Sequence, residues 1–174
     1  MIIYLILGLF FLLIFLVWIS GFIFGAPFQS SSKKAIERMI RLSGVKKGEK
    51  AADIGSGTGR VVIEFAKKGA IVTGFEINPL LVWISRRRIK RLGLQKNATI
   101  KRQNFWTSDL SGFDVINIFQ FGYIMGDIAQ KLKEDIRKNR KRKRKKEVRV
   151  LSNTWRFPGR KPAKKDKNVF LYKF

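Results

Sequence analysis

Apolar residues in this chain fall into short runs separated by amphipathic stretches, and one long apolar segment precedes them all. Apolar runs of about 4–8 residues are typical of buried strands, whereas apolar residues three and four positions apart are typical of helices. The pattern predicts strands at residues 50–54, 71–76, 98–102, 114–119, 148–152 and 169–172. It predicts helices from the serines at 30–32 to Gly44, at 59–68, at 79–92, and from about residue 126 into a basic stretch.

This alternation of strands and helices predicts an α/β fold with a doubly wound, mostly parallel sheet. Ligands of such sheets bind at the carboxyl ends of the strands, near the point where the strand order reverses. Asn78 and Pro79 mark the start of the helix at 79–92, because an Asn side chain can cap a helix and Pro suits its first turn. Helical spacing places Leu81, Ser85, Ile89 and Leu92 on one side of it and the basic residues Arg86, Arg87, Lys90 and Arg91 toward solvent.

Residues 1–25 form the long apolar segment, and its first 24 residues carry no charge. At about 1.5 Å per residue such a helix crosses a hydrocarbon core of roughly 30 Å, which predicts a transmembrane anchor. A signal peptide is the alternative, but no basic residues precede the apolar run and no small-residue cleavage pattern follows it. The basic residues after the segment predict a single-pass protein with its N-terminus outside and residues 26–174 in the cytoplasm. These basic residues are Lys33, Lys34, Arg38 and Arg41.

A glycine-rich turn follows the first predicted strand, with Asp53 before it and glycines at 55, 57 and 59. Glycines let the backbone turn sharply and approach a ligand closely, and the helix that follows directs free N–H groups at negative charge. The second strand ends in Glu76, 17 residues after the last glycine. A carboxylate at that point can accept hydrogen bonds from ribose hydroxyls. The glycine spacing differs from the dinucleotide pattern G-x-G-x-x-G, and Asp53 would repel a pyrophosphate.

These features favour S-adenosylmethionine over a dinucleotide as the ligand. That molecule combines an ammonium for Asp53, a carboxylate for the helix N-terminus and a ribose for Glu76. The alternative to an S-adenosylmethionine site is that this is a glycine-rich turn of some other α/β protein. The chain contains no cysteine and no histidine, which excludes disulfides, thiolate or imidazole metal sites, cysteine nucleophiles and histidine-based triads. No metal site is predicted.

Charge is distributed unevenly along the chain, which has a formal net charge of +25. Every residue from 137 to 146 is basic except Asn139. Such a block is typical of a solvated segment, but it can also attract nucleic acid or anionic lipid headgroups. Because the chain is predicted to be anchored in a bilayer, we expect this basic insert to contact an anionic lipid surface, at roughly 1 kcal/mol per basic residue. Nucleic acid is the weaker alternative.

Several motifs carry a resemblance to a known family. They are Pro27-Phe28, Asp53-Ile54-Gly55-Ser56-Gly57-Thr58-Gly59-Arg60, Glu76-Ile77-Asn78-Pro79 with Leu81-Val82-Trp83, and Arg156-Phe157-Pro158. On these motifs the sequence from Pro27 onward resembles class I, seven-β-strand S-adenosylmethionine-dependent methyltransferases. More narrowly, it resembles the membrane-anchored protein-lysine methyltransferases of the mitochondrial ATP synthase c-subunit and the adenine nucleotide translocase, together with their prokaryotic relatives.

The resemblance implies a protein-lysine N-methyltransferase that uses S-adenosylmethionine and acts on a membrane-associated protein. The cofactor-binding residues that it implies are Asp53, Gly55, Ser56, Gly57, Gly59, Glu76, Ile77, Asn104 and Phe105. Ile77 and Phe105 are expected to contact the adenine ring. Asn104 stands where such enzymes usually keep an acid near the adenine amino group, and its carbonyl can still accept that hydrogen bond. The candidates for the substrate channel are Phe28, Gln29, Phe119, Gln120, Tyr123 and Trp155.

The sequence also departs from the family pattern, mostly on the substrate side. Ser30 replaces a second proline after Pro27-Phe28, the loop at 120–123 lacks its usual proline, and residues 137–146 replace an acidic or neutral linker. Only one strand is predicted after residues 148–152, where the full fold has two.

Two other functions stay open. A nucleic-acid (RNA) methyltransferase would explain the positive charge, although the loop after the fourth strand lacks the Asn/Asp-Pro-Pro-aromatic signature that holds a flipped base. A degenerate, non-enzymatic relative could bind membranes through the basic block.

Overall fold

The computed structural model describes residues 2–23, 31–141 and 147–174. The first helix, α1, spans Ile2–Ile23. Its side chains are described at residues 3–12 and 15 only, and they are exposed. Over the residues that the structure describes, no helix is both long and apolar enough to cross a membrane. The predicted transmembrane anchor over residues 1–25, with its single-pass topology, is therefore not supported by the structure.

One seven-stranded sheet organises the rest of the chain, in the strand order β3-β2-β1-β4-β5-β7-β6. The strands are β1 Lys50–Ile54, β2 Ile71–Glu76, β3 Ala98–Arg102, β4 Val115–Ile118, β5 Arg149–Asn153, β6 Lys164–Asp166 and β7 Val169–Lys173. Strands β1 to β5 pair in parallel, whereas β7 pairs antiparallel with both β5 and β6. The order reverses beside β1, so the predicted doubly wound, mostly parallel sheet is confirmed. This switch point places the ends of β1, β2 and β4 side by side.

Two cores form because strand residues alternate between the two faces of the sheet. On β1, Ala51 belongs to the core under α2, α3 and α4, and Ala52 belongs to the core under α5. The helices are α2 Lys33–Ser43, α3 Arg60–Lys67, α4 Pro79–Arg91 and α5 Met125–Lys141. Helix α5 ends within the predicted basic insert at 137–146, so the described first half of that segment continues a helix.

Helix α4 begins as predicted, but its buried face differs in part from the expected one. The Asn78 side chain accepts hydrogen bonds from the backbone N–H groups of Leu80 and Leu81. The buried residues are Val82, Ser85 and Ile89, whereas Leu92, expected on the buried side, is 50% exposed. Arg86 faces solvent as predicted, yet its Nε and Nη2 also donate to the Ile100 carbonyl on β3, at 3.1 and 2.8 Å. The buried face of α4 is set by its contact with β3, and the spacing of apolar residues along the helix alone could not predict it.

The C-terminal tail contains two strands after β5, so the prediction of a single strand was wrong. Strand β6 (Lys164–Asp166) is polar and largely exposed, and it lacks the apolar alternation by which strands are recognised. It is a strand because its backbone pairs with β7. Asp166 also forms ion pairs with Arg38 and Arg41 of α2. These two basic residues, expected to flank a membrane span, therefore join α2 to the tail.

Candidate functional site

A glycine loop links the carboxyl end of β1 to the start of α3. Gly55, Gly57 and Gly59 have φ angles of 72°, 52° and 74°, which is the left-handed region that residues with a Cβ rarely adopt. The N–H groups of Gly55 and Ser56 donate to the Phe75 carbonyl on β2, at 3.0 and 2.9 Å. The loop is therefore fixed to the neighbouring strand, with its open side at the carboxyl edge of the sheet.

Other residues pack closely against this loop. A Cβ at Gly55 would lie 2.2 Å from Nε2 of Gln120. A Cβ at Gly74 on β2 would lie 2.7 Å from the Ser56 hydroxyl and 2.6 Å from Cδ1 of Ile100. The predicted Gln120 is thus placed across the loop, where its amide also donates to the Ile54 carbonyl at 3.4 Å. Arg88 of α4 donates to the carbonyl of Thr58 in the loop at 3.1 Å.

Asp53 lies at the inner end of the loop, near the end of β1, and is buried. The parallel register sets it opposite Asn117 of β4, and the Asn117 Nδ2 donates to Asp53 Oδ1 at 2.7 Å. Burial raises the pKa of the Asp53 carboxyl from its ordinary 3.8 to about 7; the hydrogen bond from Asn117 lowers it, and the nearby Glu76 carboxylate raises it. A positively charged ligand at this point would favour the ionised form.

Glu76 lies at the other side of the loop, at the end of β2, and is also buried. Its Oε2 accepts the Gly57 N–H at 2.8 Å, and its Oε1 accepts the Ile77 and Asn78 N–H groups, both at 2.9 Å. Three backbone donors therefore fix the carboxylate. A carboxylate has about four acceptor positions, so one ribose hydroxyl can be accepted without any change and a second requires release of one backbone donor.

Two buried polar atoms of this site have no partner. Among the described residues, the buried side-chain atoms without a hydrogen bond are Ser56 Oγ and Asn117 Oδ1. Buried polar groups are nearly always paired, and exceptions often mark a place that a ligand or water fills. Ser56 is itself a residue of the loop, and Asn117 binds Asp53 just before it. The described residues hold no group of three or more potential metal ligands.

The residues expected near an adenine ring surround the outer side of the site. Ile77 is 37% exposed next to Glu76. The Asn104 side-chain Oδ1 accepts the Trp106 N–H at 3.1 Å and so caps a short 3₁₀ turn at Phe105–Thr107. Phe105 is half-buried, with its ring centroid 4.6 Å from that of Trp106. The Asn104 carbonyl retains its second lone pair for a ligand.

Aromatic side chains gather where β4 and β5 end. Tyr123 is 81% exposed and stacks on Phe121, with the centroids 5.8 Å apart. Trp155 lies so close to Gly122 that a Cβ there would be 2.7 Å from its ring. Phe119 and Gln120 are half-buried beside them. Phe28 and Gln29 lie outside the described residues.

Sequence reasoning missed Asn117, Phe121 and Arg88 as members of this site. Asn117 had a detectable signal, because it is the one polar residue in the apolar run Val115-Ile116-Asn117-Ile118. A polar residue at the centre of a buried strand requires a partner. Phe121 stood among other aromatic residues, and Arg88 stood in a basic helix segment, so neither was distinguished by its surroundings in the sequence.

Comparison with known proteins matches most of this chain to one protein family. Residues 53–164 match the family model described as the ANTKMT methyltransferase domain. The human ATP synthase c-subunit lysine N-methyltransferase is 33% identical over 132 residues, which are 76% of this chain and 53% of that protein. A protein-lysine N-methyltransferase of Saccharolobus islandicus is 26% identical over 138 residues, which cover 78% of this chain and 81% of that protein.

The fold has a counterpart among solved structures. The RNA methyltransferase of Salinibacter ruber in complex with S-adenosyl-L-homocysteine superimposes with a TM-score of 0.73 at 22% identity, over 84% of this chain and 92% of that one. This likeness confirms a Rossmann-like methyltransferase fold. The chain spans about half the length of the human relative that it matches. On the family match, which extends over more than half of its residues, the chain belongs to the ANTKMT methyltransferase family.

Proposed function

We propose that this chain is an S-adenosylmethionine-dependent methyltransferase that modifies lysine side chains of a protein. The observation that carries the proposal is the pair of buried carboxylates, Asp53 and Glu76, at the two sides of the glycine loop. The names of the human and archaeal relatives support the lysine acceptor.

The residues of the site fit that cofactor at each of its polar groups. Asp53 would hold the ammonium, and the N-terminus of α3, where Gly59 provides no side-chain cap, would hold the carboxylate. Glu76 would accept the ribose hydroxyls. Ile77, Asn104 and Phe105 would contact the adenine.

S-adenosylmethionine, when bound, supplies a methyl group that is already activated for transfer. The chain therefore has to align the acceptor amine and exclude water from it. The exposed aromatic side chains Tyr123 and Trp155, at the edge of the sheet that carries the loop, are suited to hold a lysine ammonium by cation–π contact. The amine reacts only without its proton, and burial and nearby positive charge would lower the pKa of a lysine from its ordinary value near 10.4. We assign no residue as a general base.

The acceptor that we propose is a membrane protein. The support comes from relatives named as lysine methyltransferases of the ATP synthase c-subunit and of the adenine nucleotide translocase. A membrane location of this chain rests on its uncharged first 24 residues, while the described residues contain no helix able to span a bilayer. Alkaline carbonate extraction of cell membranes tests the location: release of the chain into the supernatant would exclude an integral anchor.

Calorimetry with S-adenosylhomocysteine tests the cofactor site. The wild-type chain should bind, and Asp53→Asn and Glu76→Gln should each weaken binding by about 10- to 100-fold, because each removes a charge-assisted hydrogen bond. Glu64→Gln is the matched control, since Glu64 lies on α3, half exposed and paired with Lys67, and it should bind like the wild type. A wild-type chain that gives no binding heat would refute the proposal.

Transfer of labelled methyl groups tests the acceptor. Membrane extracts from cells that lack the chain should gain label in protein when the purified chain is added, and the label should map to lysine. Tyr123→Ala and Trp155→Ala should lower kcat/KM by about 2- to 30-fold through loss of cation–π contact and leave S-adenosylhomocysteine binding unchanged. Label that enters RNA and not protein would replace the lysine proposal by the nucleic-acid alternative.

A further inference from the structure

Helix α4 presents a solvent-facing surface that its role in the fold does not explain. The outer face of α4 consists of Leu80, Trp83, Arg87, Lys90 and Arg91, all exposed. Leu80 is 47% and Trp83 58% exposed. The Arg87 guanidinium lies over the Trp83 ring, 5.6 Å from its centroid. The helix contains no acidic residue, so this face combines large apolar groups with uncompensated positive charge.

The other basic residues of α4 have structural partners, which separates them from the outer face. Arg86 binds the Ile100 carbonyl and Arg88 binds the Thr58 carbonyl. Within the described part of the chain, no carboxylate pairs with Arg87, Lys90 or Arg91. Three cations held together without counter-ions repel one another, and an anionic partner on this helix face would relieve that repulsion.

The positive surface continues toward the cofactor site. Helix α4 packs against β3, the edge strand of the sheet, whose Lys101 and Arg102 are exposed. The register sets Arg102 beside Glu76. Two further exposed apolar side chains, Ile77 and Trp106, lie at this same carboxyl edge of the sheet. A partner that covers the outer face of α4 would therefore lie next to the opening of the site.

We propose that the outer face of α4 binds the surface of an anionic phospholipid bilayer. A helix with Lys and Arg beside Trp and Leu is suited to this, because the apolar groups enter the headgroup boundary while the cations contact lipid phosphates. A bilayer explains the exposed aliphatic Leu80 better than a nucleic acid, which binds through phosphate contacts and base stacking on aromatic rings, and the Arg87 guanidinium lies over one face of the Trp83 ring.

This inference goes beyond the proposed function and does not require it. If the proposed function also holds, contact through α4 would keep the cofactor site close to the membrane that carries the proposed acceptor.

A site-specific fluorescent probe tests the proposal in the full-length chain. The chain contains no cysteine, so Leu80→Cys provides a unique attachment point for an environment-sensitive dye. Phosphatidylcholine vesicles that contain phosphatidylserine should shift the emission of this dye to shorter wavelength, and high salt should reduce the shift. Lys165→Cys, on β6 at the opposite edge of the sheet, is the matched control and should show no shift.

Charge reversal distinguishes contact through α4 from attachment through another part of the chain. Arg87→Glu combined with Arg91→Glu should remove the shift at position 80, and Lys90→Glu alone should reduce it. Circular dichroism and S-adenosylhomocysteine binding show whether each variant is folded, and absence of that binding in the wild type would count against the proposed function only. An equal shift with neutral vesicles, a shift unaffected by charge reversal, or a shift produced by RNA and not by vesicles would overturn the proposal.

Discussion

At the residue scale, the site depends on a carboxyl group kept away from water. Among the residues that the structure describes, Asp53 accepts a side-chain hydrogen bond from Asn117, which lies 64 positions away in the sequence. Burial raises its pKa to about 7, so near neutral pH the ligand-free chain contains both protonated and ionised Asp53. A ligand ammonium in contact with the carboxylate would favour ionisation, and ligand binding would therefore release a proton.

The affinity for S-adenosylhomocysteine should consequently depend on pH. Below the Asp53 pKa of about 7, the group must lose its proton before it can pair with an ammonium, so the affinity should fall by up to about tenfold for each pH unit below 7. Above that value the affinity should level off. Calorimetry at several pH values, in buffers of different ionisation enthalpy, measures both the affinity and the released proton. Asp53→Asn should bind weakly and without this pH dependence; a pH-independent wild type would contradict the assignment.

At the element scale, the glycine loop packs closely against β2 because residue 74 of that strand is a glycine. Gly74 has Ser56 and Ile100 so close that a Cβ would come within 2.8 Å of three of their atoms. Its φ angle is not in the left-handed region, so the requirement is steric and not conformational. The position of the loop thus depends on a strand residue that itself makes none of the expected ligand contacts.

Gly74→Ala should therefore displace the loop from β2. We expect a loss of about 1–3 kcal/mol in the free energy of unfolding, as for an overpacked core position, and weaker binding of S-adenosylhomocysteine. Urea unfolding and calorimetry measure the two effects. Gly126→Ala is the control, because its Cβ would meet no atom within 4 Å and α5 should gain up to about 1 kcal/mol. If Gly74→Ala behaved like Gly126→Ala, the loop would not depend on this contact.

At the scale of the whole molecule, Arg149 connects parts of the chain that are far apart in sequence. Its guanidinium pairs with Glu49 before β1 and donates to the Ser43 and Gly44 carbonyls at the end of α2. The side chains of Arg149 and Glu49 are only 20% and 13% exposed. Since β5 carries Arg149, this cluster fixes α2 and the start of β1 against the C-terminal half of the sheet.

Arg149→Met should lower the free energy of unfolding by about 2–3 kcal/mol, because it removes the guanidinium that pairs with the Glu49 carboxylate and donates to two carbonyls in a mostly buried place. Denaturant unfolding measures the loss. Arg149→Lys should recover part of it, since a lysine keeps the charge but not the planar fork of donors. Lys161→Met, at an exposed position, should change stability by less than about 0.5 kcal/mol. Equal effects of Arg149→Met and Lys161→Met would exclude the cluster as a tertiary link.

Much of this architecture could be predicted from the chain itself. The strands at β1 to β5 and β7, the helices α2 to α5 and the glycine loop followed from local patterns of apolar residues, caps and glycines. These patterns are readable because they express short-range constraints on the backbone. The prediction of Asp53 and Glu76 as cofactor-binding residues came from the same patterns, because each ends or nearly ends a predicted strand beside the loop.

Strand pairing and packing decided what local patterns could not. Strand β6 exists only through its bonds to β7, the inward face of α4 was set by contact with β3, and the partner of Asp53 was chosen by the register of β1 on β4. Each of these depends on which distant segments meet. The sequence by itself determined the order of the elements and the chemistry at the strand ends; the tertiary structure alone determined which side chains came together there, because contacts between residues far apart leave no local periodicity.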